Sequence, residues 1–333
     1  MAQALQALTT ILIGLGACVG YFFLSNKLVD VIWPPRGANA GRNINRANMI
    51  RPWLFLFPAL FALGLYLGYP VFETLRLSLL ERVPGGGYQW VGFENYARMS
   101  GEAKFWEAMR NNMLWLLVVP AASTGFGLLV AQLTDSIRWG RIAQMLIFMP
   151  MAISFVGAAV IWKLVYDARP IDQEQIGMLN ALVVTLGGEP QTWLTIPFWN
   201  NFFLMLVLIW IQTGFATVIL SAALRGIPEE TIEAAIVDGA NPFQIFFKIK
   251  VPQIYGTILV VWTTITIVVL KVFDIVYAMT NGQWQTQVLA NYMFDKLFVA
   301  NDWGVGSASA IVIMVLVLPI LVWNVRNARR EME

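Results

Sequence analysis

The sequence predicts an all-α integral membrane protein of about seven transmembrane helices, and three observations carry that prediction. The chain is 58% hydrophobic and only 13% charged, against roughly 25% charged in a soluble domain. Seven windows are each apolar over roughly the 20 residues that a helix needs to cross a hydrocarbon core. Lys and Arg gather in alternate connections between those windows, the asymmetry of short loops on the cytoplasmic side.

The windows lie at about 5–24, 52–75, 110–133, 142–165, 198–222, 256–279 and 303–325. The first lacks the basic start of a signal peptide, and Tyr21-Phe22-Phe23-Leu24 is a poor small-residue cleavage site, so a retained helix is expected. Lys27, Arg36, Arg42, Arg46 and Arg51 follow it. Arg138 and Arg141 separate the third and fourth windows. Arg225, Lys248 and Lys250 separate the fifth and sixth, and Arg326, Arg329 and Arg330 end the chain. With seven spans these four segments share the cytoplasmic side and the N-terminus lies outside. Residues 166–196, with Asp167, Arg169, Asp172, Glu174 and Glu189, form the largest outer connection. Gly16 and Gly20, and Gly64 and Gly68, have the small-xxx-small spacing of close helix packing. Trp33, Trp53, Trp162, Trp199, Trp303 and Trp323 fall near span ends, where an interfacial belt belongs.

The inventory of side chains removes several function classes. There is no His, and the one Cys, Cys18, lies in an apolar run, which excludes zinc-site, disulfide and Ser/His or Cys/His nucleophile readings. A net charge of +2 is too small to suggest nucleic acid. No glycine-rich loop followed by Lys-Ser or Lys-Thr occurs, so any ATP that drives this protein binds another subunit.

Residues 229–252 stand apart as a polar, proline-bounded insert between two apolar stretches. Pro228 suits the first helical position, with Glu229 and Glu230 at the positive end of the helix dipole. Gly239 supplies a stop, Asn241-Pro242 starts a second short helix, and Pro252 is expected to close it. Ala234 and Ala235 allow close backbone approach, so the bent pair suits a groove on a soluble partner.

A polar cluster marks the spans on either side. The fifth carries Trp210, Gln212, Thr213, Phe215, Thr217 and Ser221; the sixth carries Trp262, Thr263, Thr264, Thr266, Lys271, Asp274 and Tyr277; Ser154 lies on the fourth. Aromatic faces with hydroxyls and amides suit a sugar at the midplane. The alternatives are structural: Thr and Ser bonded to their own helix, Gln212 joining helices, Trp210 in packing, and Lys271 with Asp274 as an ion pair at three-residue spacing.

Glu233-Ala234-Ala235, then Gly239, then Ile249-Lys250-Val251-Pro252 resembles the signature cytoplasmic loop of permease subunits of binding-protein-dependent ABC importers, with Val251 where Leu is usual. Trp90 to Tyr96, Leu179-Asn180, Trp193-Leu194 and Phe273 to Gly282 are similar to stretches of the sugar-importing members, and the extra first helix resembles the larger permease of the maltose system. Among these the α-glucoside permeases look closest.

The resemblance implies one N-terminal helix with a basic linker (1–51), a six-helix type I importer core (52–325) with coupling loop 225–253, and a basic tail (326–333). It implies that Glu233, Ala234, Ala235, Gly239, Pro242, Ile249 and Pro252 couple to the ATPase. It implies a sugar site drawn from Gln212, Phe215, Thr264 and Lys271, with Ser154, Trp210 and Asp274 beside them. Lys271 departs from the neutral amide usual there. No cofactor is expected in this chain, ATP and Mg being held by ATPase subunits. The expected partners are a second permease, an ABC ATPase dimer and an extracytoplasmic sugar-binding protein, at a bacterial inner membrane. The competing readings are an ion-coupled secondary transporter using Lys271 and Asp274, and a membrane scaffold that recruits a soluble protein.

Overall fold

The computed structural model describes residues 2–332 apart from 38, 84 and 136, with the side chains of 2–4, 321, 324, 325 and 327–332 also outside the description; Arg329 and Arg330 of the basic tail fall among the latter. Two compact units divide the chain, Met1–Glu73 and Thr74–Glu333.

The first unit holds α1 (Ala2–Ile32) and most of α2 (Ala40–Ser78). Both are helical well beyond the apolar windows, so the linker expected before residue 52 is helix apart from 33–37 and 39 among the described residues. The two run antiparallel: Tyr21 Oη donates to Leu54 O at 2.8 Å, Phe22 lies 5.6 Å from Phe55, and Arg51 pairs with Asp30. Among the described residues the small-residue pairs make no tight contact. No described atom lies within 4 Å of a Cβ built on Gly16, Gly20, Gly64 or Gly68, and 64–68 instead forms a wide π turn inside α2.

The second unit opens with a short antiparallel hairpin, β1 (Leu80–Arg82) and β2 (Tyr88–Trp90), the one departure from an all-helical chain among the described residues. After it come α3 (Glu94–Ser100), α4 (Ala103–Asp135), α5 (Gly140–Ala152), α6 (Phe155–Val165), α7 (Met178–Thr185) and α8 (Trp199–Arg225). Then follow α9 (Glu229–Val237), α10 (Pro242–Gln253), α11 (Tyr255–Leu270), α12 (Asp274–Met279), α13 (Leu289–Phe294) and α14 (Trp303–Met332). Among the described residues five helices are long and apolar enough to cross a membrane, and the count reaches seven if each of two bent pairs makes one crossing.

Those two pairs correct the picture of straight spans. The window 142–165 breaks between α5 and α6 at 104°. Pro150 lacks the N–H that a continuing helix needs, Ile153 is extended, and Ser154 caps the new helix by accepting from Gly157 N at 3.1 Å. The second pair bends by 71° between α10 and α11, and the window 256–279 stops at Leu270, with residues 271–273 non-helical before α12.

The core forms around α8, the most buried of the spans: Leu204, Met205, Val207, Leu208, Ala216 and Leu220 are all buried. Polar side chains share this apolar interior, and the outer surface is apolar as well. Asn111, Asn112, Ser123, Thr217 and Ser221 lie inside, while Leu117, Phe126, Leu133 and Leu164 are exposed, as a lipid solvent demands. Close approach comes from glycines unnoticed in the sequence. A Cβ on Gly127 of α4 would stand 2.3 Å from Ala216 Cβ of α8, and one on Gly214 would meet Ile147 O at 2.5 Å.

Candidate functional site

Two places in the second unit gather the candidate residues, one at each functional depth. At the end of α8, the bent pair α9–α10 is built largely from local chemistry. Pro228 takes the cap position one residue before α9, and Asp238 ends the helix. Gly239 then adopts φ +80°, a left-handed conformation that costs glycine little. Asn241 and Gln244 form a reciprocal capping box, with both bonds at 2.9 Å, and Pro242 fills the first turn where no N–H is needed. Pro252 does not close α10. A π turn over Phe246–Lys250 displaces the hydrogen-bond ladder, and the helix continues through Pro252 to Gln253.

Burial divides the coupling candidates. Ala235 is buried within the chain, so its small side chain serves internal packing, and Ile249 is half-buried. Glu233, Ala234, Gly239, Pro242 and Pro252 are exposed. Ile236, Val237, Phe243 and Phe247 are exposed beside them, Val237 by 86%. None of these four belongs to the loop signature. Their signal was apolar residues inside an otherwise polar insert. A groove of about 380 Å³ runs beneath, lined by Gln132 of α4 and by Ile232, Ile236, Ile245, Phe246 and Lys250, and Lys250 Nζ donates to Gln132 Oε1 at 3.1 Å. Nearby, Arg225 Nε donates to Asp135 Oδ1 at 2.8 Å and Gln144 Nε2 to Ser221 Oγ at 2.9 Å. The ends of α4, α5 and α8 are thereby tied together beside the bend, and Ser221 acts as a helix–helix bond.

The second place is a cleft of about 410 Å³ at the break between α5 and α6. It is lined by Met151, Ile153, Ser154, Phe155, Val156, Ile211, Gln212 and Asp274. Gln212 lies 13 residues along the 27-residue α8, about 20 Å into a helix of ~40 Å, which is mid-depth. Its side chain makes no hydrogen bond among the described residues and is 5% exposed, leaving the amide for what enters the cleft. The positive end of α6 opens there at Ser154, and Asp274 occupies the first turn of α12. The lining thus offers a hydroxyl, an amide and a carboxylate among apolar walls. Such a set can bond hydroxyl groups while covering carbon faces.

Of the seven sugar candidates, the fold brings together Ser154, Gln212 and Asp274. Lys271 is exposed and lines a small neighbouring void with Asp274 and Phe155. No ion pair joins Lys271 and Asp274 among the described residues, because 271–273 interrupt the helix on which a three-residue spacing would align them. Trp210 packs edge-on against Trp162 at 5.7 Å, Phe215 packs on the main core, and the Thr264 hydroxyl donates to Val260 O at 2.7 Å. For these three the structure shows packing and own-helix bonding.

Comparison with known proteins gives the family. Residues 123–331 match the family model described as the binding-protein-dependent transport system inner membrane component. The chain is 64% identical to the alpha-glucoside transport system permease protein AglF of Rhizobium meliloti, over 99% of both chains. It is 46% identical to the osmoprotective compounds uptake permease protein GgtC of Synechocystis, over 84% of this chain and 99% of that one. A crystal structure of a bacterial ABC transporter that imports the acidic polysaccharide alginate shares the fold, with TM-score 0.73 at 20% identity over 88% of this chain and 99% of that one. A binding-protein-dependent family leaves the ion-coupled and scaffold readings without support. The chain belongs to the binding-protein-dependent transport system inner membrane components, the multi-pass permease subunits of ABC importers.

Proposed function

We propose that this permease carries an α-linked glucoside through the cleft at Ser154, Gln212 and Asp274. The observation that carries the reading is the mid-depth convergence of a hydroxyl, a free amide and a carboxylate from three separate helices. The 64% identity to an alpha-glucoside permease supports the sugar class. In this reading Gln212 and Ser154 bond sugar hydroxyls, Asp274 accepts from another, and Phe155 and Met151 cover the ring. Lys271, Phe215, Thr264 and Trp210 support the helices that form the site.

A separate ATPase dimer, which holds ATP and Mg, docks on the exposed face of α9–α10 around Glu233, Ala234, Gly239 and Pro242. A second permease completes the pore, and an extracytoplasmic binding protein delivers the sugar to the inner-membrane complex. ATP binding moves the bend, and the helices that flank the cleft alternate its access. ATP shifts that equilibrium only as far as the ATPase binds it differently in the two states. The chain itself does no catalysis. The basic residues of 1–51 and of 326–333 precede and follow this core in sequence, on α1, the connection after it, the start of α2 and the end of α14.

The test is co-expression with the neighbouring subunits, reconstitution, and uptake of labelled α-glucosides with ATP inside the vesicles. Uptake that needs both ATP and the binding protein is expected. Uptake driven by a proton or sodium gradient without ATP would overturn the reading.

A further inference from the structure

The loop after α12 is held in a conformation that its residues do not choose. Side-chain-bearing residues rarely adopt positive φ, yet Asn281 (φ 50°), Trp284 (φ 53°) and Gln285 (φ 64°) all do so within five positions, together with Gly282 (φ 69°). Asn tolerates this region, whereas Trp and Gln do not, so their strain must be offset by contacts around them.

Those contacts come from three buried asparagines on two helices. Asn200 Nδ2 of α8 donates to Trp284 O at 2.6 Å, and Asn201 Nδ2 donates to Gln285 O at 3.2 Å. Asn111 Nδ2 of α4 donates to Gln285 O at 2.9 Å and to Gln287 O at 2.8 Å. All three asparagines are at most 2% exposed. Every bond goes to backbone, so the side chains at the apex stay free. Gln283, Trp284 and Gln285 are exposed, Trp284 by 48%.

The position of this apex gives it meaning. Asn200 is the second residue of α8, whose other end leads into the coupling bend. Gln212, in the cleft, lies 12 residues further along α8, roughly 18 Å. The apex therefore sits at the outer end of the helix that carries Gln212. An indole between two amides has the chemistry of a saccharide contact: the ring face covers the carbon side of a pyranose, and the amides bond its hydroxyls.

We propose that Gln283-Trp284-Gln285 is a preorganised carbohydrate-contacting finger at the extracytoplasmic entrance, with Asn111, Asn200 and Asn201 as its positioning residues. The proposal rests on the saccharide-import reading. Preorganisation explains why buried amides are spent on fixing a backbone that exposes its tryptophan. The ordering cost is met by folding and is not met again when sugar arrives.

The test uses the assembled complex in liposomes, with Cys18→Ser as the background and Gln283→Cys as the labelled site, labelling of the background complex being subtracted. The rate of maleimide labelling is measured with saturating maltose and with mannitol as the non-pyranose control. Maltose is expected to slow labelling at least threefold. Adding Trp284→Leu abolishes that protection and Trp284→Phe keeps most of it. Asn200→Ala speeds labelling without sugar and weakens protection, a change that a merely structural asparagine would not make. Co-purification of the partner subunits checks assembly of each variant, and uptake is followed on the same preparations. Uptake of maltose without protection overturns the finger and leaves the import reading standing. Protection without α-glucoside uptake supports the finger and overturns the proposed substrate. Absence of both overturns both.

Discussion

The turn at Gly239 gives the sharpest test of how the cytoplasmic bend works. Its φ of +80° lies where a Cβ crowds the adjacent backbone, while no described atom beyond its two chain neighbours stands within 4 Å of that Cβ. Within this chain the requirement for glycine is therefore backbone strain alone. A left-handed residue other than Gly or Asn costs about 1–2 kcal/mol, a factor of roughly 5–30 in the population of the correct turn. Asn and Asp tolerate the region better, and a β-branched residue tolerates it least. Uptake per ATP hydrolysed in reconstituted vesicles should follow the order Gly, then Asn, then Ala, then Val. Gly239→Ala should fall by about fivefold and Gly239→Val by more. Gly239→Asp is expected to uncouple more than Gly239→Asn, because it adds a second carboxylate beside Asp238. Wild-type coupling in Gly239→Val would refute the strain argument. Equal loss in all four variants would replace strain with crowding by the docked ATPase.

Three further expectations come from particular contacts. Gly127→Val pushes a Cβ and two methyl groups into α8 beside Ala216 and should cost about 1–3 kcal/mol or more, read as a lower melting temperature of the purified complex; an unchanged melting temperature would mean that the crossing is looser than described. Gln212→Leu should abolish sugar uptake while the subunits still co-purify, since the amide has no internal partner to lose; retained uptake would remove Gln212 from the sugar site. Burial, aided by the hydrogen bond and charge of Glu102, pushes the Tyr292 hydroxyl above the usual tyrosine range. Folding thus favours neutral Tyr292, so its contribution is present below the unfolded value of about 10 and is lost as pH rises above it. Tyr292→Phe should flatten the alkaline fall in stability, and an identical pH–stability curve would contradict this.

What the sequence determined by itself is what local chemistry fixes. Seven apolar windows declare the spans, because each must satisfy its own backbone in lipid. The bend over 229–253 was equally legible, since Gly239 and the Asn241 cap act on residues within a turn of themselves. Only the tertiary structure decided where helices break and touch. Pro150 lies in the fourth window and other prolines sit inside unbroken helices such as α2, α4 and α14, so proline alone could not place the 104° break that opens the cleft at Ser154. The glycines at tidy spacing, Gly16, Gly20, Gly64 and Gly68, contact nothing closely, while Gly127 and Gly214 decide the packing of α4, α5 and α8. Lys271 and Asp274, three apart in sequence, are separated by the non-helical step that follows Leu270. Asn200 and Asn111, which clamp the loop, lie 84 and 174 positions from the Trp284 and Gln285 carbonyls they hold. A short-range pattern cannot announce such a bond, because its free energy exists only after α4 and α8 have brought the loop between them.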